Sequence, residues 1–169
     1  MIPKATVRTF IRHARELGAL EARPIDAASI VTAPWVQWKC RYGCGGYNTN
    51  LCCPPHSPSY LQTREMIAGY EHAILVRCKE VGSSTAIVCE MERRIFLAGY
   101  YKTFGMGNGP CRLCGNCNLK RCTHTERARP AMEACGIDVY ATVRANGCPI
   151  KVVKDYSDDA NYYGLVLIE

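Results

Sequence analysis

The chain has 169 residues, nearly half of them hydrophobic, which is enough to bury a core, and it is read as a single domain, 1–169. Twelve cysteines would suit the disulfide framework of an exported protein, but the opening stretch from Met1 to Phe10 has no apolar signal-like region. No run of eighteen apolar residues is available to cross a membrane, so the composition reads as cytoplasmic, where clustered thiols bind metal or carry redox chemistry.

Residues 5–17 predict an amphipathic helix. Val7, Phe10, Ile11, Ala14 and Leu17 recur at helical spacing, Arg8, Arg12 and Arg15 take the other face, and Gly18 stops it. Asp26 is placed to cap a short turn before Ile30 and Val31. Pro34 is expected to break the chain, and Trp35 and Trp38 to wall a core beside the next motif.

That motif runs from Lys39 to His56. Cys40 and Cys44 are four positions apart, and the pair Cys52-Cys53 comes later in the same stretch. Gly43, Gly45 and Gly46 permit positive φ and close backbone approach to a bulky ligand, while Pro54 and Pro55 stiffen the exit. So little apolar surface points to a bound metal centre. Successive side chains diverge, so Cys53, braced by the prolines, is the favoured ligand and Cys52 a spare. Cys40, Cys44 and Cys53 then supply three thiolates. The fourth position is left open by the sequence: either an iron free for a small substrate or sulfur species, or one filled by Cys52, His56 or a cysteine from elsewhere.

Ser59-Tyr-Leu-Gln62 is a capping box that opens a helix to about Gly69. His72–Cys78 reads as a buried strand, with Cys78 as a small core residue. After a turn at Gly82, a second helix is expected to reach about Lys102. Ile87, Val88, Met91, Ile95 and Ala98 face inward, Glu90 pairs with Arg94, and Cys89 packs. Phe104 to Pro110 contains G-x-G-x-G after a helix, not G-x-G-x-x-G after a strand, and reads as a flexible lead.

It leads into Gly109-Pro-Cys-Arg-Leu-Cys-Gly-Asn-Cys-Asn-Leu-Lys-Arg-Cys122, with Cys111, Cys114, Cys117 and Cys122 separated by two, two and four residues. The nearest known pattern is the ferredoxin run C-x2-C-x2-C-x3-C-P of iron–sulfur proteins. The chain departs from it after Cys117, and Cys122 ligates either locally or elsewhere. Two [4Fe-4S]2+ clusters with four thiolates each would lower the formal charge of +6 to about +2, so net charge is no argument for nucleic acid. Lys120, Arg121, Arg127 and Arg129 form a basic collar suited to an acidic redox partner such as a ferredoxin, or are ordinary solvated charge. Arg129-Pro130 is expected to start a short helix, and Asp138 to cap another that ends at Asn146-Gly147. Cys135 and Cys148 are isolated. An acidic turn at Asp158-Asp159 precedes a last strand, Gly164–Ile168, the best candidate to neighbour 72–78.

Together these residues resemble the DUF2284 family of predicted metal-binding proteins. The matching pieces are Lys-Cys-x3-Cys-x2-Tyr at 39–47, Cys-Pro-Pro-His at 53–56, Gly-Pro-Cys-x-Leu-Cys-x2-Cys at 109–117, Cys122, and Arg-Pro-x-Met-Glu-Ala-x-Gly-Ile-Asp-Val at 129–139. The resemblance implies metal or iron–sulfur binding and an association with anaerobic metabolism, with no established reaction. Its family-type cysteines are Cys40, Cys44, Cys53, Cys111, Cys114, Cys117 and Cys122.

The expectation is an α+β fold, a small central sheet with packed helices and cysteine-rich loops. One [4Fe-4S] cluster would sit on Cys111, Cys114, Cys117 and Cys122, and a second metal centre on Cys40, Cys44 and Cys53 that could take a small-molecule substrate. The alternative is a zinc-bound structural or nucleic-acid module. Zinc ribbons, however, separate two C-x2-C hairpins by a long loop, and the aromatic residues here are not interleaved with the basic ones. A dithiol oxidoreductase would carry a single C-x2-C at a strand–helix junction, and haem attachment needs C-x-x-C-H. Neither pattern is present.

Overall fold

The computed structural model, which describes residues 2–155 and 157–169, is organised on an antiparallel sheet that is four-stranded among those residues. Strands β1 (Glu21–Asp26), β2 (His72–Cys78), β3 (Phe104–Met106) and β4 (Tyr162–Ile168) lie in the order β1-β2-β4-β3. The expected pairing of 72–78 with the last strand is found: Ile74 faces Val166 and Leu75 faces Leu165. The fold is α+β.

β2 and β4 read as unbroken apolar runs because both faces of the sheet are covered. Ala73, Leu75, Leu165 and Leu167 point to one side, against Met132, Ile137, Val139 and Val143. Ile74, Val76, Val166 and Ile168 point to the other, against Phe10, Ala14, Val88, Met91 and Ile95. Each such side chain, fully buried, contributes roughly 1.5–3 kcal/mol. Cys78 is fully buried in the second layer, as its position in the strand predicts.

Helix α1 (Lys4–Glu16) and helix α4 (Ser83–Leu97) cover that second face. The Glu90–Arg94 pair of α4 is present at 2.9 Å. The helix ends five residues short of the expected Lys102, because Gly99 turns left-handed at φ +100° and the Ala98 N–H satisfies the last carbonyls. Ala98 is exposed, not inward.

Helix α2 (Pro34–Gly43), helix α3 (Tyr60–Ile67) and helix α5 (Val139–Ala145) belong to the other side. Pro34 does not break the chain. It occupies the first turn of α2, where its missing N–H costs nothing. Trp35 and Trp38 do not wall a core either, at 45% and 67% exposed; the inner face of α2 is Val36, Gln37 and Cys40. The Ser59 capping box closes as predicted, with Ser59 Oγ accepting from Gln62 N–H and Gln62 Oε1 from Ser59 N–H. Asp26 and Asp138 cap the short 3-10 turn Ala27–Ser29 and α5.

Candidate metal centre

The first cysteine loop begins inside α2. Val36, Cys40 and Cys44 recur every fourth residue, so the helix presents both cysteines along one side, with Cys44 as its C-cap. Gln37 anchors the helix: its Nε2 donates to the carbonyls of Pro58 and Ala134 at 2.8 and 2.9 Å, and its Oε1 accepts from Tyr60 N–H. Beyond Cys44 the chain folds into nested turns. Asn50, 5% exposed, accepts from Cys52 N–H at 3.0 Å through its side chain and from Cys53 N–H at 3.2 Å through its carbonyl. Asn48 Oδ1 lies 2.9 Å from His56 Nε2, which orients the imidazole and leaves its Nδ1 uncommitted. These bonds bury Cys52 and Cys53 although the loop has almost no apolar side chains of its own.

None of Gly43, Gly45 and Gly46 adopts positive φ, so their expected conformational role is absent. Gly46 serves close approach instead. A Cβ there would lie 3.3 Å from Pro110 Cβ and 3.5 Å from both Cys44 Sγ and Cys53 Sγ. The two sulfurs therefore lie within twice that last distance of each other, and a methyl at Gly46 would fill the space between them and crowd Pro110.

The second cysteine loop is not preceded by a flexible lead. Phe104–Met106 forms β3, and Gly107 bridges to Ala131, its N–H donating to Pro130 O at 2.9 Å and its carbonyl accepting from Met132 N–H at 3.0 Å. Both ends of residues 108–130 are thus pinned at one place. Arg129-Pro130 starts no helix, since the Pro130 carbonyl is engaged in that bridge; the turn that follows is the 3-10 segment Glu133–Cys135. Gly105 and Gly107 press onto α4, where a Cβ would meet the Val88 carbonyl at 3.0 Å and Thr85 Cα at 2.9 Å.

The two loops meet. Gly45, Gly46 and Asn50 from the first share a cleft of about 360 Å³ with Cys111, Cys114 and Cys117 from the second. Burial pushes the Cys52 thiol up to about 12, reinforced by the adjacent Cys111 and then by Cys122 and Cys53. Burial likewise raises the Cys53 thiol, against the lowering influence of the Asn50 side chain, and the neighbouring Cys44 and Cys111 add to the rise. Cys40 rises to about 11 through burial, then through Cys44, Cys53 and Glu133. Thiols held protonated in this way release protons when they bind metal.

Two sulfurs accept backbone hydrogen bonds at 3.4 Å, Cys44 from Gly46 N–H and Cys122 from His124 N–H. The Cys114 sulfur lies 4.0 Å from Thr123 Oγ1. All twelve cysteines carry free thiols. Among the described residues no three His, Cys, Asp or Glu side chains are gathered tightly enough to hold a single metal ion. The thiols stand as neighbours along a seam.

Cys40 has Cys44 and Cys53 as its neighbouring thiols, without the three closing on one point. Cys111, Cys114 and Cys117 share one cleft, and Cys122 lies toward Cys52. Cys78, Cys135 and Cys148 are buried in the core, and Cys89 sits on α4 with its thiol donating to the Arg127 carbonyl at 3.2 Å. The contact of Cys52 and Cys53 with Cys111, and the supporting Asn50, carry no local sequence signal, because the partners are nearly sixty positions apart.

A family model described as a predicted metal-binding protein, DUF2284, matches residues 23–168. The chain belongs to this family. No curated protein and no solved structure matches it. The DUF2284 segment begins within β1 and leaves out α1, and it takes in all twelve cysteines, so both loops are parts of the family's own fold.

Proposed function

We propose that this DUF2284 chain is an iron–sulfur protein whose two cysteine loops hold one or two [4Fe-4S] clusters and which acts in electron transfer or in redox chemistry. The observation that carries the reading is the meeting of the loops, with Cys52 and Cys53 against Cys111 and a glycine floor at Gly46. The donor set suits iron: many soft thiolates, few competing oxygen or imidazole ligands, and backbone N–H groups aimed at sulfur. When bound, such a cluster passes electrons singly, at a potential set by hydrogen bonds to its sulfurs and by exposure.

Cys111, Cys114, Cys117 and Cys122 would hold one cluster, and Cys40, Cys44 and Cys53 the second centre. Cys52 and Cys111 stand close enough for the two sites to share ligands. The Gly46 and His124 N–H groups disperse charge on Cys44 and Cys122. Lys120, Arg121 and Arg127 are exposed, as is Arg112, and would receive an acidic protein such as a ferredoxin. Arg129 leaves the expected collar, since its guanidinium is tied to Glu92. A cytoplasmic, reducing setting keeps the free thiols available.

Iron and acid-labile sulfide content, with an EPR spectrum of the reduced protein, tests this on material purified without oxygen. About four or about eight irons per chain, with matching sulfide, support one or two clusters. Colourless protein with stoichiometric zinc replaces the reading with a zinc module.

A further inference from the structure

A second cleft, of about 600 Å³, opens on the side of α2 that carries Cys40 and Cys44. Its size is that of a small-molecule site. The walls are largely apolar and aromatic, with Trp35, Val36, Ile137, Tyr140 and Tyr162 among them. Two residues of the lining each hold a buried polar atom that has no partner among the described residues. Asn108 is 3% exposed, and its Oδ1 is committed to Gly82 N–H at 2.9 Å and Ser84 Oγ at 2.7 Å, which leaves its buried Nδ2 unpaired. Glu133 Oε2 is likewise buried and unpaired. Buried polar atoms are paired in the great majority of cases, so two orphans carried by residues of one cavity wall point to a partner from outside the chain. Lys39 and Lys151, both exposed, stand in the same lining.

We propose that this cleft binds a small aromatic carboxylic acid that carries a hydroxyl group away from its carboxylate. The hydroxyl accepts from Asn108 Nδ2 and donates to Glu133 Oε2, the ring lies among the aromatic walls, and the carboxylate meets Lys39 and Lys151. The site stands on these groups alone. It needs no iron on the neighbouring thiols, although Cys40 and Cys44 in its wall bring any metal held there next to the ligand.

Isothermal titration of the full chain, with metal content measured on the same sample, uses 4-hydroxybenzoate as the probe and benzoate as the analogue without the hydroxyl. Saturable binding of 4-hydroxybenzoate is expected, with benzoate about tenfold weaker. Glu133→Leu should erase that difference while raising the thermal midpoint, because it replaces an orphaned carboxyl by an apolar group of similar size. Lys151→Glu, on the surface, should weaken both acids about tenfold without affecting the fold. No saturable binding at millimolar probe overturns the proposal. So does binding that ignores the hydroxyl, or that is unchanged in Lys151→Glu. Metal-free protein that binds the probe as expected would leave this site standing while removing the iron–sulfur reading.

Discussion

Arg129 grips Glu92 with two hydrogen bonds, Nε to Oε2 at 2.8 Å and Nη2 to Oε1 at 2.6 Å, and both side chains are only 16% exposed. Glu92 Oε2 also accepts from Gly105 N–H at 2.7 Å, so one carboxylate ties α4 to β3 and to the exit of the second cysteine loop. Arg129 Nη1 returns to the Thr125 and Ala128 carbonyls, which shapes the loop's last turn.

Removing this fork should loosen the loop from the sheet. Arg129→Ala strands a largely buried carboxylate and is expected to cost ~3–5 kcal/mol. Arg129→Lys keeps the charge but loses the planar fork, and should cost less. Urea denaturation of the two variants ranks them, and wild-type stability in Arg129→Ala would remove the pair from any structural role.

Gly46 and Gly45 make a matched test of the seam. A methyl at Gly46 crowds Pro110 and touches two sulfurs, whereas one at Gly45 meets nothing within 4 Å. Gly46→Ala should lower metal per chain, because the methyl occupies space between the two sulfurs, and cost ~1 kcal/mol or less, with Gly45→Ala close to neutral. Equal metal content in the two variants would show that the loops do not close on a shared centre.

The cysteines divide by position. Cys53→Ala and Cys111→Ala should each reduce metal content, and so should Cys52→Ala, because that thiol faces Cys111 and Cys122. Cys78→Ala should keep full metal and cost only about 1 kcal/mol, as a buried side chain loses one heavy atom. Metal analysis beside thermal unfolding separates the two groups. Full metal in Cys52→Ala would return that residue to the spare role its sequence position suggests.

Cys135 provides a pH signature away from the seam. It is 2% exposed, and burial holds its thiol up at about 12, opposed by the nearby Thr63 hydroxyl and helped by Glu133. Its ordinary value is 9.0, so between pH 9 and about 12 the unfolded chain has lost this proton and the folded chain has kept it. Unfolding then becomes easier as pH rises, by about 1.4 kcal/mol per unit from this group. Denaturation of wild type and Cys135→Ala at pH 8 and pH 10 should show a shallower alkaline loss in the variant. Parallel losses would sink the assignment.

Local features were legible in the sequence. The Ser59 capping box, the Asp138 cap, the Glu90–Arg94 pair and the apolar run of β2 each depend on residues within four or five positions. β1 was hidden because Pro24, Glu21 and Arg23 are poor strand residues that an edge position tolerates. β3 was hidden because three residues around a glycine carry no period, and its ladder bonds come from β4, some sixty residues later. The tryptophans of α2 read as core because of their size, yet the helix is held by Val36 and by Gln37, whose three hydrogen bonds all go to other segments.

The sequence by itself determined the family, the α+β class and the two sets of clustered cysteines, since ligand spacing and strand and helix periods are written within short stretches. Only the tertiary structure decided that the two cysteine loops form one seam, that Gly46 sits between two sulfurs without a positive φ, and that Arg129 is a clasp. Those relationships join residues far apart in the chain, and it is the sheet, pinning Gly107 to Ala131 and α2 to Ala134, that brings them within reach.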